Sequence, residues 1–175
     1  MSAIELLLQE LEQETQTTRR VLERVPADRL TWKPHDRSWS LGQLALHVAT
    51  VPGAIAELST KPSVNVPNFE QPSAQTAAEL IPTLDQSVAK ARDILRGMND
   101  ADLGKTWRAM NGDQEVMAIP VGALLRSIML NHWYHHRGQL SVYLRQVGAR
   151  VPSIYGPSAD ENPFAAAQAA AVASA

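Results

Sequence analysis

Four stretches of this sequence repeat apolar residues at intervals of three and four, the spacing of an amphipathic α-helix. The first is predicted to run from Ser2, a residue type that caps helix N-termini, to Val25, and Pro26 ends it. The second begins after Ser40, another capping residue, and contains Pro52, which is expected to bend it. Each stretch has one apolar face, so the four are expected to pack against one another.

The third and fourth stretches carry their own end signals. Thr76 and Glu79 have the spacing of a capping box before the third, and the fourth is predicted to begin at Pro120 and to end before Gly148. Between them, the Asn-Gly pair of "KTWRAMNGDQEVMAIP" predicts a β-hairpin. The predicted fold is therefore all-α: a four-helix bundle with a short hairpin-like excursion before the last long helix. The long second and third connections allow topologies other than up-down-up-down.

Length and composition limit the number of domains and the kinds of partner. With 175 residues and 45% hydrophobic content, the chain can form one core, predicted to span residues 1–163. Residues 164–175 are an alanine-rich tail that is predicted to be disordered. The 16 basic and 18 acidic residues are spread along the chain, so nucleic-acid binding is not expected. Neither a signal peptide nor a membrane span is predicted, and a cytoplasmic location is expected.

Cysteine is absent, and this restricts the chemistry of any site. A metal ion would have to be bound by nitrogen and oxygen atoms. Thiol chemistry would need a thiol from outside the chain.

The fourth helix places three histidines in five residues, within "LLRSIMLNHWYHHRGQLSVYL". His132 and His136 are one turn apart, about 40° from each other around the helix, and both lie in its apolar stripe. Their β-carbons would be about 5–6 Å apart, so both rings could bind one ion. The alternative is a buried polar pair, but two imidazoles buried without partners would cost on the order of 1–3 kcal/mol each. His135 lies at the edge of the stripe and is expected at the surface.

A third ligand should come from a facing helix. His47 lies on the edge of the second helix's apolar stripe, one turn from Leu44 and Val51, and is the better candidate. His35, in "KPHDR", is expected to be a solvated turn residue.

Two motifs, "WSLGQLALHVA" and "NHWYHHRGQL", together resemble those of the DinB/YfiT-like superfamily of metal-binding four-helix bundles. The shared pattern is a Trp-Ser helix start followed by a histidine, then a late His-x-x-x-His-Arg-Gly-Gln. The resemblance covers roughly residues 1–163. It implies that His47, His132 and His136 form a metal triad, that the bundle is up-down-down-up, and that the protein is a homodimer.

A site with three neutral imidazoles would leave the charge of a divalent ion uncompensated and some coordination positions open. Such an ion is a strong Lewis acid, and nitrogen ligands without thiolate suit zinc or nickel. The hypothesis is a metal-dependent enzyme, a thiol transferase or a hydrolase, that activates a low-molecular-weight thiol or water against a small substrate. The superfamily resembled includes thiol-dependent transferases and isomerases. Residues expected to support the ligands through hydrogen bonds are Gln139, Gln43 and Asn131.

A different class of function is also open. The metal could only staple the bundle, in a binding or stress-response module without catalysis. Arg126 and Arg137 are expected on a solvated helix face, and no carboxylate falls on either ligand-bearing stripe, so no general base is identified. The aromatic residues are expected in the core or a dimer interface: Trp39, Trp133, Tyr134, Tyr143 and Tyr155.

Overall fold

The structure is a computed structural model that describes residues 1–66 and 70–165. Four helices form the bundle: α1 Ala3–Leu22, α2 Leu41–Ser59, α3 Leu80–Arg96 and α4, residues 121–146, which joins the segments Val121–Ala123, Leu124–Asn131 and His132–Gln146. Three strands form a small sheet: β1 Ser63–Asn65, β2 Thr106–Asn111 and β3 Gln114–Pro120. Single 3₁₀ turns lie at Ala27–Arg29, Ala77–Glu79 and Asp102–Gly104. The predicted tail falls largely on residues 166–175, outside the described part of the chain.

The first two helix starts are as predicted. Ser2 and Ser40 each cap a helix through a reciprocal capping box, with Glu5 and Gln43 as the third helical residues. In each box the serine hydroxyl accepts from a backbone N–H, and the partner side chain accepts from the serine N–H. α1 ends at Leu22, three residues before the predicted end.

The predicted capping box at the start of α3 is wrong. Thr76 makes no capping hydrogen bond, and the Glu79 carboxylate instead accepts from the N–H of Gln75. The α-helix begins only at Leu80, after a 3₁₀ turn. Pro82 then falls in the first helical turn, where a missing N–H breaks no intrahelical hydrogen bond.

The helices do not pack in chain order. α1 packs mainly against α3 and α4, and α2 also packs mainly against α3 and α4, so that α1 and α2 face each other across the bundle. α2 is long and apolar enough to span a membrane by length and composition alone, but 56% of its apolar window is buried. Its burial in the bundle accounts for this hydropathy.

A small sheet corrects the all-α expectation to a mostly helical fold. β2 and β3 form an antiparallel hairpin where the Asn-Gly pair predicted one, with a positive φ at Gly112. No sequence pattern predicts β1, which pairs in parallel with β2. At three residues, β1 is too short for a readable alternation of side chains.

A hydrogen bond from Trp133 in α4 to a backbone carbonyl near Pro52 connects α4 to α2. Pro52 lies inside α2 and has no N–H, so the carbonyl of Val48, four residues earlier, lacks its usual helical donor. The indole Nε1 of the fully buried Trp133 donates to that carbonyl over 2.7 Å. The hydrogen bond satisfies a buried acceptor and holds the two helices beside the histidine region.

The first half of α4 is wider than an α-helix. Residues Leu124–Asn131 are π-helical, and the N–H of His132 donates to the carbonyl of Ser127, five residues earlier. The predicted stripe assumed about 100° per residue throughout. The π-helical turns shift the phase of the residues before His132; Leu125 and Met129 are fully buried, and Ile128 is partly buried.

Arg137 is buried, which corrects its expected place on a solvated face. Its side chain is 1% exposed and forms a 2.6 Å ion pair with Glu14 of α1. Further hydrogen bonds run to Thr18 and to the hydroxyl of Tyr155. The acidic and polar partners on α1 compensate the charge, which makes burial of the guanidinium tolerable. Arg126, in contrast, is half exposed and pairs with a surface glutamate.

Candidate metal centre

Three histidines from two helices meet in one cluster. α2 contributes His47, α4 contributes His132 and His136, and one nitrogen of each ring lies within 4.8 Å of the others. The Nε2 atoms of His47 and His132 are 3.0 Å apart. Ring centroids are separated by 4.3 to 5.2 Å, and the rings face one another edge to face. The structure therefore brings together the three residues predicted as ligands.

Two glutamine side chains fix the orientation of two rings. Nδ1 of His47 donates to Oε1 of Gln71 over 3.1 Å, and Nδ1 of His136 donates to Oε1 of Gln139 over 2.7 Å. An amide oxygen can only accept, so in each ring Nδ1 carries the hydrogen and Nε2 keeps a free lone pair. This is the arrangement in which partner groups orient histidine ligands around a metal.

The connection between α2 and α3 supplies one of these partners. The buried Gln71 is held in place by Gln43, whose Nε2 donates to the Gln71 carbonyl over 2.9 Å. Gln139 and Gln43 were expected near the metal, and the first contacts a ligand while the second acts through Gln71. Asn131, the third expected residue, is exposed and has no hydrogen bond to the triad.

Trp39 covers the cluster. Its ring is stacked on His136 with centroids 5.5 Å apart and contacts His47 edge to face at 5.0 Å. The sequence suggested a core or interface role for this tryptophan, and the structure gives it a position against two of the three histidines. An indole in this position keeps water away from one side of the cluster.

Burial keeps the three imidazoles neutral. It lowers the pKa of His47 to about 4 from 6.5, assisted by the neighbouring His136 and His132. Burial likewise lowers the pKa of His136 to about 4, although the hydrogen bond that His136 donates to Gln139 acts to raise it. The pKa of His132 is lowered by burial and by the charge of His135. Neutral rings are the form that binds metal, so the cluster needs no deprotonation at pH 7.

The donor set fits a borderline divalent ion. Three neutral ring nitrogens without thiolate or carboxylate suit zinc or nickel better than calcium or magnesium, which require oxygen ligands. Of the other two histidines, His35 is exposed and outside the cluster, and His135 is exposed with its ring 5.0 Å from that of His136. Both positions agree with the surface roles predicted for them.

A cavity of about 280 Å³ opens beside the cluster, between the segment that precedes α2 and the second half of α4. His136, Trp39 and Gln139 form part of its wall, so a molecule in the cavity would contact one of the three histidines of the cluster. Arg37, Ser38 and Tyr143 complete the polar lining. The cluster is thus accessible on one side, unlike a closed structural site.

Comparison with known proteins identifies the family. The family model described as "DinB family" matches residues 1–166 of the 175. The chain belongs to the DinB family. Among curated proteins, it is 28% identical over 158 residues to the uncharacterized protein YrdA of Bacillus subtilis (strain 168), covering 88% of this chain and 89% of YrdA.

Solved structures share the DinB fold. A DinB-like protein from Bacillus cereus ATCC 10987 matches with a TM-score of 0.69 and 24% identity, covering 86% of this chain and 97% of the other. YfiT from Bacillus subtilis, described as a probable metal-dependent hydrolase with an unusual four-helix bundle topology, matches with a TM-score of 0.63 and 14% identity, covering 85% and 90%. A mycothiol-dependent maleylpyruvate isomerase matches at 0.53 and 17%, covering 86% and 65%. At these identities the likeness concerns the fold.

Proposed function

We propose that this DinB-family protein is a divalent-metal-dependent enzyme in which His47, His132 and His136 hold the ion. When bound, the ion supplies a Lewis acid with open positions for a low-molecular-weight thiol or water, which attacks a small substrate. The observation that carries the proposal is the convergence of three ring nitrogens within 4.8 Å beside an open cavity. Zinc or nickel is the proposed ion, because the ligands are neutral nitrogens.

The residues of the chain have separate tasks in this proposal. Gln71 and Gln139 hold the Nδ1 protons and so keep the Nε2 lone pairs directed to the ion. Trp39 excludes water on one side of the cluster, and the cavity beside His136 positions the substrate.

A thiol is the preferred nucleophile. Among the described residues that line the cavity, none is an aspartate or glutamate that could act as a general base. Before either binds an ion, a thiol has a pKa of about 8.5 against about 15.7 for water, so the ion needs to lower the pKa of a thiol far less to give the reactive anion. Activation of water is the second candidate, and the fold likeness to YfiT, described as a probable metal-dependent hydrolase, favours it.

Three further features belong to the same proposal. The up-down-down-up order is proposed from the sequence resemblance, and the connection of residues 60–79 between the neighbouring helices α2 and α3 is long enough to return along the bundle, as parallel helices require. A homodimer, which the sequence resemblance implies, and a cytoplasmic location, which the sequence analysis expects, are part of the same proposal.

The alternative is a metal that only staples the bundle, in a binding or stress-response module. The position of the cluster supports it, because an ion held by His47 and His132 would cross-link α2 to α4. The open cavity at His136 argues for catalysis instead, since a structural site has no need of access.

One experiment separates these functions. Protein without a histidine tag is loaded with zinc or nickel and tested with low-molecular-weight thiols against halogenated and epoxide electrophiles, and with esters and amides in the absence of thiol. Turnover that disappears on chelation and returns with metal supports an enzyme, and the class of substrate separates transferase from hydrolase. If chelation lowers the melting temperature but none of the tested compounds is converted, a metal with only a structural role is the better explanation.

A further inference from the structure

The cavity beside the histidine cluster contains a cationic side chain that the proposed chemistry leaves unused. Arg37 is an exposed residue two positions before Trp39 in the segment leading to α2, and it lines the same 280 Å³ space as His136. Arg37 has no periodic context in "KPHDRSW", so no sequence pattern marks it as a site residue. Its position is visible only once the segment is folded against α4.

In the described part of the chain, no acidic group opposes this charge. Within residues 1–66 and 70–165, no carboxylate lies within ion-pair distance of the Arg37 guanidinium, and the described lining includes neither aspartate nor glutamate. The neighbouring Asp36 is exposed and does not line the cavity. The cavity is therefore locally positive in a chain whose net charge is −2, and a divalent ion would add to this charge.

The other polar groups of the lining are mainly donors. Oε1 of Gln139 already accepts from His136, which leaves the amide NH₂ of Gln139 to donate. Ser38 and Tyr143 contribute hydroxyl groups. A cavity with a guanidinium, an amide NH₂ and two hydroxyls is suited to a ligand that accepts hydrogen bonds and carries negative charge.

We propose that Arg37 binds a carboxylate of the substrate or of the thiol cosubstrate, and that the site therefore selects small anionic molecules. This inference rests on the proposed function and specifies the substrate class. Arginine pairs with a carboxylate through two parallel hydrogen bonds, which orient the ligand as well as attract it. The cavity is slightly smaller than the roughly 300–1,000 Å³ of sites for drug-sized ligands, so the ligand is small.

Binding measurements on the zinc-loaded protein test the proposal. Calorimetry compares 3-mercaptopropionate with its neutral analogue 3-mercapto-1-propanol, and butyrate with 1-butanol, so the two pairs distinguish a carboxylate on the thiol from one on a partner without a thiol. We expect the wild type to bind at least one carboxylate about tenfold more tightly than its alcohol, a difference that Arg37→Gln removes. Arg37→Lys should keep only part of it. Arg20→Gln removes one positive charge from an exposed position on α1 and should leave the preference unchanged.

A second measurement does not depend on metal. In the metal-free protein, butyrate should shift the Trp39 indole NMR signal, and Arg37→Gln should abolish that shift. Failure of zinc to bind would reject the proposed function while this measurement still tests Arg37. The inference about Arg37 is overturned if the wild type shows no preference for carboxylates with or without zinc, or if Arg37→Gln retains the full preference.

Discussion

Nε2 of His47 lies 3.0 Å from Nε2 of His132, although the two residues are 85 positions apart in the sequence. Two imidazole nitrogens at this distance share either a proton or an ion. Because Nδ1 of His47 already donates to Gln71, its Nε2 must accept, and a cation between the rings would satisfy both lone pairs.

Loss of one proposed ligand should remove the metal. We expect His136→Ala to bind less than about 0.2 zinc per chain after loading, against about one for the wild type, because two ligands are too few for a tight site. Metal analysis of protein without a histidine tag measures this. His135→Ala is the matched control, since His135 is adjacent but exposed, and it should keep the wild-type content. Equal loss in both variants would contradict the triad.

The glutamine partners should strengthen metal binding without contacting the ion. Gln71→Ala and Gln139→Ala each remove the acceptor of a histidine Nδ1–H, and we expect zinc affinity to fall about 10–100-fold in either variant. Competition with a chromophoric chelator measures the affinity. Gln86→Ala, at an exposed position of α3, should have no effect. Wild-type affinity in both test variants would show that ring orientation does not depend on these amides.

Acid should destabilise the metal-free protein. The pKa values of His47 and His136 are about 4 in the folded protein against 6.5 ordinarily. As the pH falls from 6.5 toward 4, the unfolded chain takes up protons at these rings and the folded chain does not, so the free energy of unfolding should fall. Urea unfolding at a series of pH values measures this. His47→Gln should flatten the profile over that window, and a profile as steep as that of the wild type would contradict the assignment.

The hydrogen bond from Trp133 to Val48 should be coupled to Pro52. Trp133→Phe leaves the buried Val48 carbonyl unpaired, at a cost of about 1–3 kcal/mol in addition to lost packing. Pro52→Ala restores a helical N–H for that carbonyl, so it should be less harmful, or even stabilising, in the Trp133→Phe background. A double-mutant cycle by urea unfolding measures the coupling. Strictly additive effects would show that the carbonyl does not depend on the indole.

Arg137 and Arg126 should differ sharply in their contribution to stability. Arg137→Ala removes the guanidinium that pairs with the buried Glu14 carboxylate, and we expect the free energy of unfolding to fall by about 3–5 kcal/mol. Arg126→Ala breaks a solvent-exposed pair with Glu10, and a loss below about 1 kcal/mol is expected. Chemical unfolding of the two variants measures the difference. Similar small losses in both would mean that the buried pair adds little to the fold.

Sequence patterns predicted the features of the fold and of the site that depend on residues close together in the chain. Helical periodicity and capping placed α1 and α2, and the same periodicity put His132 and His136 on the buried stripe. Gln71 was missed because it lies in an aperiodic connection, and its contact with His47 depends on how that connection folds over the helix.

Features that depend on residues far apart in the chain could not be predicted from local sequence patterns. Arginine is rarely buried without a partner, and two partners of Arg137, Glu14 and Thr18, lie more than 100 residues away on α1. The π-helical turns before His132 have no established residue signature of the kind that serine caps provide, so the assumed phase was that of an α-helix.

Consecutive residues hold the last helix on two faces about 100° apart: His136 contacts His47 of α2, whereas Arg137 forms an ion pair with Glu14 of α1. Any roll of this helix that moved the imidazole would also pull the guanidinium away from its carboxylate. Folding therefore fixes the rotation of this helix about its axis, and with it the position of the His136 ring, before any ion binds. A cation would bind at a preorganised site, so little reorganisation of the side chains would slow its binding or reduce its affinity.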